Sequence, residues 1–306
     1  MALASWMLLA DGPQLEEKSV FIDGHRMHCL TTGSGPKIVL VHGLLGSAEA
    51  WYPCLGRLGE QSKVYAVDAL GIGRSDRVAG LDVSLSAQAD RLAQFMQSAG
   101  IDRADLVGTS HGGAVAMMLA TRHPQIVRSL VLHAPANPFS NITDPLVHFY
   151  CSSLGRWFAH QVPNLPEKLQ ELALGRMYGD AKLMDRKGLE RYTSSLRIPG
   201  TIEHVLNMLH RWFEDMAELR LVLESLRGLP TRLLWGTRDR AVSIESGQLL
   251  EKTLQCEAAI MIPNVGHLPY EESPVVFSEI VNSFLHSLDR GDTRKGPHLV
   301  RPGITG

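Results

Sequence analysis

Cysteine is scarce in this chain, and its four copies, Cys29, Cys54, Cys151 and Cys256, share no CxxC or Cys/His spacing. Neither a disulfide framework nor a zinc site is expected, and a reducing, cytoplasmic setting fits best. An excess of one charge is also missing: 30 Lys and Arg stand against 32 Asp and Glu, a formal net charge of -2, with no basic run. That balance excludes a nucleic-acid footprint and points to small partners that are not polyanions. Long apolar runs are absent too. The stretch from Ala2 to Ala10 lacks a basic flank and is about half the length of a membrane span, so it reads as part of a short N-terminal extension over residues 1–16. No stable membrane insertion is expected, and the oligomeric state is not readable.

What is present is a globular composition, 44% hydrophobic and 20% charged over 306 residues. Such a chain can bury one large core or two modest ones. Two strand-like runs, Ser19–Ile22 and His25–Leu30, flank Asp23-Gly24, the dipeptide that favours a tight antiparallel hairpin. Continuous apolar runs follow at 38–41, 64–67, 105–107, 130–132, 233–235 and 259–262, as expected for parallel strands buried on both faces. Helical patterns lie between them, at Leu85–Ser98 and Ala114–Arg122, and a last helix is expected to start at Pro274 with Ser273 as its cap.

The alternation stops between Phe139 and Phe213. Helical stretches are expected there at 144–159, 167–178, 186–196 and 202–213, separated by Pro163, Pro166 and Pro199-Gly200. This reads as an inserted cap over residues 139–213, with a core of 17–138 and 214–288. Residues 289–306, rich in Gly, Pro and charge, read as a disordered tail.

The strongest chemical signal is the run from Asp105 to Ala116, in which an apolar strand enters Gly108-Thr109-Ser110-His111-Gly112 and then a helix of small residues. A nucleophile on a sharp strand-to-helix turn sits in a strained backbone, so its close neighbours must be small. Ser110 would then project from the carboxyl edge of the sheet at a helix N-terminus that favours an anionic intermediate. A serine hydroxyl needs a base to take its proton. His267 lies past the last apolar strand, and Asp239 lies past the strand before it.

These residues resemble the α/β-hydrolase superfamily, and two further motifs agree. The run from Ile38 to Ser47, containing His42-Gly43-Leu44-Leu45-Gly46, is similar to the family's HGxxG oxyanion loop. Asp68-Ala69-Leu70-Gly71-Ile72-Gly73-Arg74-Ser75 is similar to a loop common in its capped members. The resemblance implies a mostly parallel eight-stranded sheet with helices on both faces and an inserted helical cap. It also implies Ser110 as nucleophile, His267 as base, Asp239 as orienting acid, and the backbone amides of Leu44 and His111 as oxyanion donors. His42 is read as structural, His111 as a poor base, and Asp68 and Asp76 as structural carboxylates. No metal, nucleotide or flavin is implied.

The cap aromatics are read first as packing, and where they face the cleft as a greasy pocket, with Trp157, Phe158, Trp212 and Phe213 as candidates. The expected activity is hydrolysis of small to medium, hydrophobic carboxylic esters through an acyl-enzyme. Relatives that use an elbow Asp, the epoxide hydrolases and dehalogenases, are set aside because Ser110 stands there. Two alternatives stay open. One is a carbon–carbon hydrolase of ring-cleavage products, in which Asn commonly precedes the serine and Trp follows the histidine, where this chain has Thr109 and Leu268. The other is a slow hydrolase acting as a receptor for a small ligand.

Overall fold

The computed structural model describes residues 13–140 and 144–290; the expected N-terminal segment up to residue 12 and the expected tail beyond residue 290 lie outside the described residues. Strands β1 (Glu16–Ile22) and β2 (His25–Thr32) form the antiparallel hairpin. Its turn places both Asp23 and Gly24 at positive φ, +50° and +81°, the backbone twist that a two-residue hairpin requires. The remaining strands are β3 (Lys37–Val41), β4 (Lys63–Val67), β5 (Ala104–Thr109), β6 (Val127–His133), β7 (Thr231–Gly236) and β8 (Ile260–Ile262). They complete one eight-stranded sheet in the order β1-β2-β4-β3-β5-β6-β7-β8. Only the β1–β2 and β2–β4 pairings are antiparallel. The carboxyl ends of β3 to β8 therefore meet along one edge, where ligands bind in open α/β sheets.

The helices are α1 (Tyr52–Gly59), α2 (Leu85–Ser98), α3 (His111–Arg122), α4 (Asp144–Cys151), α5 (Ser153–Gln161), α6 (Glu167–Gly175), α7 (Arg186–Leu196), α8 (Thr201–His210), α9 (Trp212–Val222), α10 (Ile244–Leu254), α11 (Pro269–Glu272) and α12 (Pro274–Asp289). Successive strand residues point to opposite faces, and the core divides accordingly. Val39, Val41, Leu106, Leu130, Leu132 and Leu233 join α2, α3, α9 and α10 in one buried layer. Ile38, Leu40, Val64, Val107, Val131 and Leu234 join α1 and α12 in the other. Among the described residues no helix is long and apolar enough to cross a membrane.

Helices α4 to α8 lie between β6 and β7, and their ends differ from the expectation. The stretch 144–159 is interrupted at Ser152, which is extended (φ -75°, ψ 158°); its hydroxyl donates to Phe149 O at 2.6 Å and accepts from Gly155 N at 3.1 Å. A serine that serves its neighbours' backbone in this way competes with the helix ladder and starts a new helix. The second stretch ends at Gly175, short of Tyr178. The fourth ends at His210, and Trp212 opens α9, which runs on into the core. Ser273 precedes α12 as expected, with Pro274 in its first turn, but its side chain makes no capping bond. Its amide instead donates to Pro269 O, continuing from α11.

The first turn of α3 approaches the carboxyl end of β3 so closely that a Cβ on Gly112 would lie 2.3 Å from both the Val41 and His42 carbonyl oxygens. Backbone cannot yield there as a side chain could. Gly112→Ala should destabilise the protein by about 3 kcal/mol, near the upper range for overpacking. Gly24→Ala, open in space but at positive φ, should cost about 1 kcal/mol. Urea midpoints at unchanged slope measure both, and equal losses would contradict the packing account.

Candidate active site

Ser110 stands between β5 and α3 at φ 51°, ψ -124°, a conformation in which a non-glycine residue costs on the order of 1–3 kcal/mol. The surrounding backbone holds it there. Ser110 N donates to His133 O at 3.1 Å, and Ser110 O accepts from Gly113 N at 2.9 Å and Ala136 N at 2.8 Å. The residue is half-buried, and its hydroxyl has no hydrogen-bond partner among the described residues.

Asp239 follows β7 and His267 follows β8, so adjacent strands deliver them side by side. His267 Nδ1 donates to Asp239 Oδ2 at 2.7 Å, while Asp239 Oδ1 accepts from the amides of Ala241 and Val242 at 2.8 and 3.1 Å. With its proton committed to Nδ1, the neutral ring keeps a lone pair on Nε2. Burial would raise the Asp239 carboxyl, but the adjacent His267 ring and its hydrogen bond outweigh that and hold it below the ordinary carboxylate value. The loop that carries His267 is itself fixed, since His267 N donates to Met177 O at 2.7 Å.

The loop after β3 crosses over Ser110, where a Cβ on Gly43 would lie 3.3 Å from that of the serine. The amides of Leu44 and His111 donate to no group among the described residues, which leaves two donors open on either side of the elbow. His42 uses both ring nitrogens to hold this loop: Nδ1 donates to Gly43 O at 2.8 Å and Nε2 accepts from Ala69 N at 3.2 Å. It is a brace rather than a base. Asp68 braces the same region, accepting from Ala48 N, His28 Nδ1 and Arg74 N at 2.7, 2.8 and 2.9 Å. Asp76 accepts from Arg26 N at 2.8 Å, while His267 Nδ1 is engaged by Asp239.

Of the four aromatic pocket candidates, Trp212 alone is buried and stands beside the elbow, its ring centroid 6.3 Å from that of His111. Trp157, Phe158 and Phe213 are 61%, 40% and 43% exposed. The helical period explains the difference: Gly155 and Ala159 are the buried residues of α5, and Phe213, one residue past Trp212, is turned about 100° from it. Sequence reasoning passed over His133. It is fully buried, its ring lies 5.6 Å from that of His267, and its Nδ1 bonds Thr109 Oγ1 at 3.0 Å. The signal was positional, because His133 ends the strand paired with the elbow strand and lies opposite Thr109. Burial pushes His133 down to about 3, so the ring is neutral. Among the described residues no cluster of His, Cys, Asp or Glu is arranged to hold a metal ion.

This architecture has counterparts. The chain is 27% identical to 2-hydroxy-6-oxo-2,4-heptadienoate hydrolase of Pseudomonas putida over 279 residues, covering 89% of this chain and 97% of that protein. It is 26% identical to mouse (Mus musculus) monoacylglycerol lipase ABHD6 over 281 residues, covering 86% and 79%. The solved structure of 2-hydroxy-6-oxo-6-phenylhexa-2,4-dienoate hydrolase from Rhodococcus sp. strain RHA1 superposes with a TM-score of 0.76 at 19% identity, covering 90% of this chain and 99% of that one, a likeness of fold. The family model for the alpha/beta hydrolase fold matches residues 36–274, and with the sheet order and the strand-to-helix turn described above it establishes that the chain belongs to the α/β-hydrolase family.

Proposed function

We propose that this hydrolase cleaves carboxylic esters of small to medium, hydrophobic substrates through an acyl-enzyme on Ser110. The observation that carries the reading is the joint geometry of a strained serine, two open amides beside it and a His267–Asp239 pair whose Nδ1 proton is committed. In the acylation step Ser110 Oγ attacks the ester carbonyl carbon as its proton passes to His267 Nε2. The carbonyl oxygen takes up the negative charge and accepts from the amides of Leu44 and His111. Collapse of the tetrahedral intermediate breaks the carbon–oxygen bond, and His267 returns the proton to the departing alcohol. Water, deprotonated by the same ring, then releases the acid. Asp239 keeps the imidazole in the useful tautomer throughout. The monoacylglycerol lipase relative supports an ester substrate.

A second reading, hydrolysis of a carbon–carbon bond, is favoured by the Pseudomonas putida relative, which this chain matches over 97% of that protein. The same serine, base and oxyanion donors serve either bond. Against it stand Thr109 and Leu268 at the positions where the resemblance leads one to expect Asn and Trp.

Ser110→Ala and His267→Ala should each lower kcat at least about a thousandfold on a nitrophenyl ester, with the double variant scarcely worse, because the two act as one unit. Additive losses would contradict the shared role. Asp239→Asn should lose less than either, or up to about ten-thousandfold if tautomer control is strict.

The acid limb of the pH profile gives a further check. Burial holds His111 and His133 down to about 3 and His204 to about 4, and it lowers His42 as well, so the first three rings stay neutral down to mildly acidic pH. Only neutral His267 can accept the serine proton, so activity should fall on acidification with a slope of one in log kcat/KM against pH. A slope of two would mean that a second ring titrates with the base.

A further inference from the structure

Behind the oxyanion loop lies a cavity of about 40 Å³, between the residue that precedes Gly43 and the residue that follows Ser110. His42 and His111 form part of its wall, with Gln88, Arg91 and apolar side chains that include Leu70, Leu92, Val115 and Met208. The hydrogen bonds of this wall fix the state of one ring. Gln88 Nε2 donates to Val83 O at 2.7 Å, so its Oε1 faces His111 Nε2 at 3.2 Å and takes that nitrogen's proton. His111 Nδ1 is then left as a bare lone pair. The ring is 96% buried, and Nδ1 has no partner. His42 has both nitrogens engaged, and Arg91 donates to Asp82 O. Burial, with the neighbouring His42 and His204, pushes His111 down to about 3, so Nδ1 is an acceptor at any working pH.

An unpaired buried acceptor carries a desolvation cost that a matching donor removes. Water is a poor match here, since an ordered buried water makes about three hydrogen bonds and His111 Nδ1 is the one buried side-chain atom of this mostly apolar wall without a partner among the described residues. The space admits about two or three water-sized groups, enough for a terminal CH₂–OH and too little for a chain. Its methylene suits Leu70, Leu92 and Val115, and its hydroxyl suits Nδ1.

Building on the ester reading, we infer that this cavity is a subsite for a hydroxyl borne by the substrate close to the scissile carbonyl, with His111 Nδ1 as acceptor. The preferred substrates are hydroxylated esters. The role belongs to the side chain of His111 and is separate from that of its backbone amide.

Three esters of matched size test it: propyl butanoate, 2-hydroxyethyl butanoate with the hydroxyl on the alcohol side, and propyl 3-hydroxypropanoate with it on the acid side. One hydroxylated ester should exceed propyl butanoate by about tenfold or more in kcat/KM, and which one does so assigns the side. In Gln88→Leu, which frees the tautomer, that ratio should fall to within about twofold of unity. Nitrogen-15 NMR of the histidine rings gives a readout independent of turnover, and His111 should appear as the Nε2–H tautomer. Equal rates on all three esters, or an Nδ1–H resonance for His111, overturn the subsite while leaving the hydrolase intact; failure to cleave any of them sinks the ester reading itself, and the subsite with it.

Discussion

The backbone of Ser110 is the constraint on which the rest of this molecule turns. A left-handed residue between a buried strand and a helix is tolerable only where neighbours over-determine it. Here they do so through the carbonyl of His133 and the amides of Gly113 and Ala136, all reaching the main chain of the serine. The same geometry brings α3 against β3 at Gly112 and the loop after β3 over the serine at Gly43. The strained serine, the open amide of His111 and a helix N-terminus thus arise from one turn, and the loop after β3 adds the open amide of Leu44.

Electrostatics around the turn follow a single logic, which is to keep a carboxylate on Asp239 and the buried rings beside it neutral. Asp239 is buried, and without a partner a buried carboxyl would be pushed toward its neutral form. The His267 ring and two backbone amides reverse that push, so a carboxylate persists to hold the Nδ1 proton. His111 and His133 are buried without an acid in contact and remain neutral. His42 is used as a strut, His133 stands between Thr109 and His267, and His111 donates from Nε2 to Gln88 Oε1.

Much of this was legible in the chain because it is local. Asp23-Gly24 specifies its turn, Leu85–Ser98 specifies its helix to the residue, and Gly108, Gly112 and Gly113 announce a crowded elbow. The family resemblance, read with chain order along the edge of the sheet, pointed to Asp239 and His267, and the structure brings the two within hydrogen-bond reach of each other. What was not legible depends on packing between distant segments. The break at Ser152 is made by a hydroxyl choosing backbone over solvent, and Ser273 leaves its capping bond unmade because α11 already supplies its amide with an acceptor. Apolar character alone did not separate Trp212 from Trp157, Phe158 and Phe213, since the helix period and the depth of each face decide which of them is buried. His133 carries no motif, and only its pairing opposite Thr109 places it beside His267.

A covalent acyl-enzyme on one named serine is the centre of the account, and direct capture tests it better than any rate. Incubation of the full chain with a fluorophosphonate, followed by intact-mass and peptide mass spectrometry, should give one adduct per chain, located on Ser110. The adduct should be absent in His267→Ala under the same exposure, because the hydroxyl then lacks its base. A modification mapped to another residue, or no adduct in a protein that still cleaves esters, would contradict the assignment of Ser110 as nucleophile.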